Sequence, residues 1–355
     1  MDLSRCNCDK AGFCPVFRRD MDDKNHHWCQ TSSKDKRINY YQQNVSVLKQ
    51  EKKFGIIIPN YNKIGGVETW LRTLSQHFQK KISEICTISN NNDYSIYDLN
   101  IPITNGSYHA SKMCEEFDSV LIWGEQILDH LFKNGKPKNL YFIHHGDETG
   151  SWANETFDIQ SKYSNKLIAV NKTVAEIYNC NLIENYIDPL RCSDHYNKSG
   201  KTITWAHRLS SEKNPFTFLE IARKMPDHDF ILCGKGPMEN QILDQLPKNC
   251  KYEGSPTNLK HIFEKTSVFI SCADQEAFGY SVGEAILSGI PVVSHGVGIS
   301  TEFADVIIKN HAPIEDWITA IKNCLGESAK HSENIKNRFS KKVFVDKWSK
   351  IINTT

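Results

Sequence analysis

Two carboxylates, Glu276 and Glu284, stand eight residues apart in the segment EAFGYSVGEAILSGIPVV, with Phe278, Gly279, Tyr280 and Ser281 between them. The apolar run at 268–272 comes just before. The pattern predicts a strand, a tight loop, a short helix stopped at Gly289, and a second buried strand at 290–293. A loop opening into a helix offers unpaired backbone N–H groups and the positive end of a helix dipole, which together suit a phosphate. Glu276 falls in the loop. Glu284, one to two turns into the helix, can reach the far end of the same ligand. A lone glutamate on a helix is usually solvated surface, so the weight of this pair depends on what else converges on it.

Four further features do. Gly65-Gly66 lies between a predicted strand and a helix, where backbone can approach a ligand at a strand's carboxyl end. Arg208 and Lys213, in HRLSSEKNP, follow another strand. As a planar fork and a point charge they can clamp a diphosphate. Gly234-Lys235-Gly236-Pro237 forms a loop able to admit a flat base or a ribose, with Gly234 and Gly236 as its small residues. His144-His145-Gly146-Asp147 ends a strand, so one imidazole should face the same crevice. His145 is the better candidate, because Gly146 lets the chain turn there, and His144 should pack inward. Taken singly, each feature also has a structural reading: a turn glycine, an exposed loop charge, a packed histidine.

The elements that must position these groups read as alternating β and α. Apolar strands are predicted at 54–59, 85–88, 119–123, 140–144 and 166–170, and an amphipathic helix at 67–78. A second alternating unit follows, with strands at 202–205, 230–233, 268–272 and 290–293 and a first helix at 215–224. A single helix, 335–352, is expected to close the chain. The fold class is therefore α/β, two Rossmann-like doubly wound domains facing a cleft. The expected boundaries are a Cys-rich segment 1–31, a linker 32–52, an N-terminal domain 53–187, an interdomain linker 188–200, a C-terminal domain 201–334 and a closing segment 335–355.

In this order the motifs IPNYNKIGGVETW, IENYIDP, HRLSSEKNP, LCGKGPM, YEGSP and EAFGYSVGEAILSGIPVV resemble glycosyltransferase family 4, retaining enzymes with the GT-B fold. The resemblance spans roughly residues 53–350 and is strongest in the second domain. It departs at Asn185-Tyr186-Ile187-Asp188, where the family often has Asn-Gly-Ile-Asp. It departs again at 298–302, where the family's Gly-Gly-x-x-Glu appears as GISTE. The resemblance implies transfer of a sugar from a nucleotide diphosphate sugar to a hydroxyl of a glycan, lipid or small molecule. Arg208, Lys213 and the amides of 278–281 would stabilise the leaving diphosphate. Glu284 would bind ribose and Glu276 the donor sugar. Gly65, Gly66, His144, His145 and Trp152 would shape the donor-sugar and acceptor side. No cofactor is expected for catalysis, since no Asp-x-Asp pair ends a strand. A non-catalytic nucleotide-sugar or glycan-binding module, or a sugar-nucleotide epimerase, is the alternative.

Lys+Arg 43 against Asp+Glu 42 argues against nucleic acid as a partner. No apolar run is long enough to span a bilayer, although peripheral membrane contact stays open, and the first residues have no signal-peptide core. A cytoplasmic location is expected, with most cysteines as reduced core thiols. The exception is Cys6, Cys8, Cys14 and Cys29, which lie within 24 residues of one another in a stretch too poor in apolar residues for its own core. Four thiolates satisfy the ligand count of a structural zinc site, with an iron–sulfur cluster or a simple unliganded arm as the alternatives.

Overall fold

The computed structural model describes residues 52–61, 65–89, 92–124, 128–146 and 151–353. The four N-terminal cysteines and the expected zinc site lie outside them.

The first domain is a seven-stranded, wholly parallel sheet. Its strands are β1 (Phe54–Ile58), β2 (Ile82–Thr87), β3 (Ile103–Asn105), β4 (Ser119–Trp123), β5 (Asn139–His144), β6 (Leu167–Ala169) and β7 (Asn181–Leu182), in the order β3-β2-β1-β4-β5-β6-β7. β1 reads FGIII and every residue is buried, as a strand covered on both faces requires. Helices α1 (Gly66–Phe78), α2 (Ser107–Glu116), α3 (Leu128–Leu131), α4 (Ser151–Tyr163) and α5 (Lys172–Ile177) connect the strands. On α1 the buried Trp70, Leu71, Leu74 and Phe78 form one stripe, at the spacing the sequence predicts.

The second domain is a six-stranded parallel sheet of order β10-β9-β8-β11-β12-β13. These strands are β8 (Thr202–Ala206), β9 (Asp229–Cys233), β10 (Cys250–Tyr252), β11 (Val268–Ser271), β12 (Val292–His295) and β13 (Val306–Ile308). Its helices are α6 (Pro215–Lys224), α7 (Glu239–Leu243), α8 (Lys260–Phe263), α9 (Tyr280–Leu287), α10 (Ser300–Phe303) and α11 (Ile314–Cys324). In each sheet the strand order reverses beside the first strand: β1 pairs with both β2 and β4, and β8 with both β9 and β11. Open α/β sheets bind ligands at the carboxyl ends of strands flanking such a reversal. The loops after β1, β8 and β11 carry Gly65-Gly66, Arg208 to Lys213, and Glu276.

The chain's end departs from the expected single helix. Two helices form instead, α12 (Ser332–Arg338) and α13 (Lys341–Ile352), broken at Phe339-Ser340. The Ser340 hydroxyl accepts the Val343 N–H and caps α13, and the Phe339 carbonyl accepts the Ile187 N–H from the interdomain stretch. The break lets α13 return to the first domain, where Trp348 packs 5.8 Å from Trp70. One apolar cluster thus runs from Trp70 and Trp348 through Phe339 to Phe278, and it belongs to both domains. The second predicted strand after Glu284 also lies two residues later than expected, at 292–295. Ile290 is drawn into the helix terminus instead, its N–H donating to the Ala285 carbonyl across Gly289, whose φ is +84°.

Candidate active site

Helix α9 starts at Gly279, which has φ +94°, and the amides of residues 279–282 donate to no group among the described residues. That is the amide-lined opening the sequence suggests. Glu276 lies just ahead of it. The Glu276 stem is wedged between two glycines: a Cβ on Gly279 would meet Glu276 Cγ at 3.3 Å, and one on Gly298 would meet it at 3.1 Å. Gly298 has φ +57° and its Cβ would also lie 2.7 Å from the Phe278 carbonyl oxygen. Both positions are glycine for steric and conformational reasons at once.

Lys213 ends a 3-10 turn, Ser211–Lys213, and its ammonium stands 3.0 Å from Glu276 Oε2 while also donating to the Gln275 carbonyl. The turn is held in place by Asn214, which has φ +49° and donates its side-chain amide to the Cys272 carbonyl at 3.0 Å. The Asp274 N–H donates to the Glu212 carbonyl at 2.9 Å. Lys213 and Glu276 are therefore one unit built from two stitched loops. Arg208, by contrast, is exposed and makes no ion pair among the described residues. Its guanidinium is free to meet an anion.

Glu284 is 1% exposed and pairs through Oε1 with Arg191 Nε. Burial raises its carboxyl above the usual range, and the Arg191 charge and hydrogen bond offset only part of that rise. Arg191 comes from a 3-10 turn, Pro189–Arg191, in the interdomain linker, and its Nη1 also donates to the Thr257 carbonyl at 3.1 Å. The Tyr280 hydroxyl, one turn before Glu284, is buried without a hydrogen-bond partner among the described residues, and burial raises it above the usual phenol range.

Gly234 and Gly236 have a role the sequence reading missed. Their missing side chains make room for backbone: a Cβ on Gly234 would lie 1.8 Å from the His207 carbonyl oxygen, and one on Gly236 would lie 2.3 Å from that of Leu209. The Leu209 N–H donates to the Lys235 carbonyl and the Met238 N–H to the Leu209 carbonyl. The glycine loop thus clasps the loop that carries Arg208.

From the first domain, Gly66 faces the Tyr280 ring; a Cβ there would sit at an ordinary 3.8 Å. Gly65 is the tighter position, with the carboxylate of the buried Glu68 lying over it. Glu68 was not singled out by sequence, although it lies in the quoted GGVETW motif at the first turn of α1. The histidines divide by face. His144 is buried against Phe157, ring centroids 4.6 Å apart. His145 sits between Trp70 at 4.7 Å and Trp123 at 6.2 Å. Burial, then the charge of His144, lowers His145 to about 3, and its Nε2 has no hydrogen-bond partner among the described residues. Trp152 begins α4, and its side chain lies outside the described residues.

Glu302, at the departing GISTE segment, makes a structural contact. Its carboxylate pairs with Arg338, with Nη1–Oε2 at 2.7 Å, and the same guanidinium grips the buried Glu184 in a fork, Nε–Oε1 at 3.0 Å and Nη2–Oε1 at 2.6 Å. Arg338 thereby joins the end of the first domain, α10 and α12. No sequence spacing flags this cluster, since its members are 36 and 154 residues apart.

Residues 192–338 match the family of group 1 glycosyl transferases. The match supports membership of the GT-B glycosyltransferase superfamily. Among curated proteins, the chain is 27% identical over 158 residues to 2-deoxystreptamine N-acetyl-D-glucosaminyltransferase of Niallia circulans, covering 38% of this chain and 39% of that one. It is 24% identical over 270 residues to the GtfA subunit of UDP-N-acetylglucosamine–peptide N-acetylglucosaminyltransferase of Streptococcus pneumoniae, covering 69% and 50%. The chain therefore spans half or less of the length of these relatives. Among solved structures, HepE of Anabaena in complex with UDP and glucose superposes with a TM-score of 0.73 at 14% identity, over 86% of this chain and 100% of the other. TarM superposes with 0.70 at 13% identity, over 86% and 99%. The fold is GT-B. Among the described residues, no helix is long and apolar enough to cross a membrane.

Proposed function

We propose that this chain is a retaining glycosyltransferase of family 4 that moves a sugar, N-acetylglucosamine first among candidates, from its uridine diphosphate to an acceptor hydroxyl. The observation that carries this reading is the constellation around α9: free amides at its start, Glu276 with Lys213 on one side, and a buried Glu284 on the other. The choice of uridine and N-acetylglucosamine rests on the names of the two curated relatives and on the UDP bound to HepE.

In such a transfer negative charge grows on the departing diphosphate as the anomeric carbon becomes cationic. Arg208, Lys213 and the amides at 279–282 supply donors and positive charge there, the electrostatic contribution that usually dominates catalysis. Glu284 receives the ribose hydroxyls, while Glu276, held by Lys213, receives those of the donor sugar. Glu276 is assigned a binding role and not that of nucleophile. Retention then proceeds by attack on the face the diphosphate leaves, with the leaving phosphate accepting the acceptor's proton. His145, neutral throughout the working range, offers a ring nitrogen at the acceptor side. No metal or organic cofactor takes part.

A thermal-shift panel of UDP, GDP, ADP and their sugars tests the donor. A ligand at 100 times its dissociation constant stabilises by about 2.7 kcal/mol, and UDP should be the best of the three nucleotides. Turnover of UDP-N-acetylglucosamine should release free UDP slowly in water, and the anomer formed with an acceptor, read by proton NMR, should match the donor's. Inversion, or no UDP binding at millimolar concentration, would overturn the assignment.

A further inference from the structure

The interdomain linker places a cation where the constellation of βα loops has none. Arg191 pairs through Nε with Oε1 of a carboxylate that is almost wholly inside the protein, and its Nη1 is anchored on the Thr257 carbonyl. Glu284 Oε2 accepts no hydrogen bond among the described residues. A guanidinium fixed at two points holds its partner's plane in one orientation. Asp188 pins the same turn from its start, its carboxylate accepting the Leu190 N–H at 3.0 Å.

We propose that Arg191 is the positioning residue for ribose recognition: from the linker it grips the Glu284 carboxylate by one oxygen and leaves the other turned out for a ribose hydroxyl. This rests on the glycosyltransferase reading above. Arg191 itself touches no substrate; it acts through Glu284. Glu284 without Arg191 would be a buried acid that favours its proton, and a protonated acid is a poorer partner for two hydroxyls. The other ionisable groups around Glu284 do not replace Arg191. Asp188 and Cys192 on the linker and Tyr280 on α9 are acids. On α12, Arg338 is committed to Glu184 and Glu302, and Lys336 to Glu333. His295 at the end of β12 faces Asp274.

The test measures binding of UDP-N-acetylglucosamine, whose diphosphate diester keeps a constant charge from pH 6 to 9, together with UDP and 2′-deoxy-UDP. Wild-type protein should bind UDP-N-acetylglucosamine with a flatter pH profile than Arg191→Gln and prefer UDP to 2′-deoxy-UDP by about 10-fold or more, the scale of a hydrogen bond to a charged group. Arg191→Gln should lose most of that preference and bind more tightly as pH rises, because its Glu284 becomes charged only at higher pH. Arg191→Lys should restore the wild-type profile, through charge, and only part of the preference, through geometry. Glu284→Gln and the double variant Arg191→Gln/Glu284→Gln should bind UDP alike, since Arg191 acts only through Glu284. Additive losses in the double variant, or a flat profile and intact ribose preference in Arg191→Gln, would overturn the inference while leaving the transferase reading standing. Should Arg191→Gln not fold, the lysine and double variants still decide. Wild-type protein that binds neither UDP nor its sugar would end the functional reading and this inference together.

Discussion

Replacing Gly298 by alanine should separate the sugar end of the site from the nucleotide end. The residue has φ +57°, which costs an L-residue roughly 1–2 kcal/mol. The added methyl would also stand 2.7 Å from the Phe278 carbonyl oxygen, which cannot swing away because it accepts the Ile299 N–H at 2.9 Å. Overpacking against fixed backbone adds roughly 1–3 kcal/mol. The total, about 2–5 kcal/mol, predicts a fall in melting temperature of about 4–20 °C for a domain of this size, at about 2–4 °C per kcal/mol. The same methyl lies 3.1 Å from Glu276 Cγ, so whatever gives way displaces that carboxylate. Turnover should drop about 10-fold or more while UDP affinity, which the proposed function assigns to Glu284, changes by less than about threefold. Calorimetry, steady-state kinetics and UDP titration on one preparation check all three. A variant that melts with the wild type and keeps its turnover would refute both the steric argument and the placement of Glu276 at the reacting sugar.

Arg208→Ala or Lys213→Ala should each lower turnover about 100-fold, through loss of roughly 3 kcal/mol of leaving-group stabilisation; near-full activity of either with UDP-N-acetylglucosamine would remove the diphosphate clamp. His145 and His207 are both lowered to about 3 by burial, so below about pH 6.5 the unfolded chain binds protons that the folded chain refuses. Stability should therefore fall steadily from pH 6.5 towards 4, and denaturant titrations of His145→Gln and His207→Gln should each show a shallower fall. Purified full-length protein should carry about one zinc at Cys6, Cys8, Cys14 and Cys29, lost in Cys14→Ser; elemental analysis giving less than about 0.2 zinc per chain would exclude the site.

The sequence carries the sheets and most of the chemistry-bearing loops for a simple reason. Buried parallel strands are unbroken apolar runs, and the groups that meet ligands follow them directly, so FGIII and VFIS announce both the strand and the loop after it. Short edge strands such as Asn181–Leu182 leave no such mark. Nor does spacing reveal Arg191, Glu184 or Arg338, whose carboxylate or guanidinium partners lie 36 to 154 residues away. A cation's meaning depends on which carboxylate folding brings to it. The glycines are legible as glycines, and part of what they do is not. Gly234 and Gly236 suggest room for a base or ribose, and the fold adds that they also admit the backbone of a neighbouring loop. The break at Phe339-Ser340 has a local mark, Ser340, whose hydroxyl caps α13, and a distant one, the Ile187 N–H on the Phe339 carbonyl, which no spacing shows.

The return of the last helix to the first domain means that the polypeptide passes between the two lobes twice, once near Asp188 and again near Phe339, and the Ile187 N–H bond to Phe339 ties the crossings together. A single tether would let one lobe swivel and twist freely about its partner. Two tethers bound side by side leave chiefly one degree of freedom, a rocking about an axis through both. Arg338, beside both crossings, holds Glu184 and Glu302 with one guanidinium and so fastens the same place again. Severing the chain anywhere after Phe339 should then cost more than a helix: one of the two crossings would go with it.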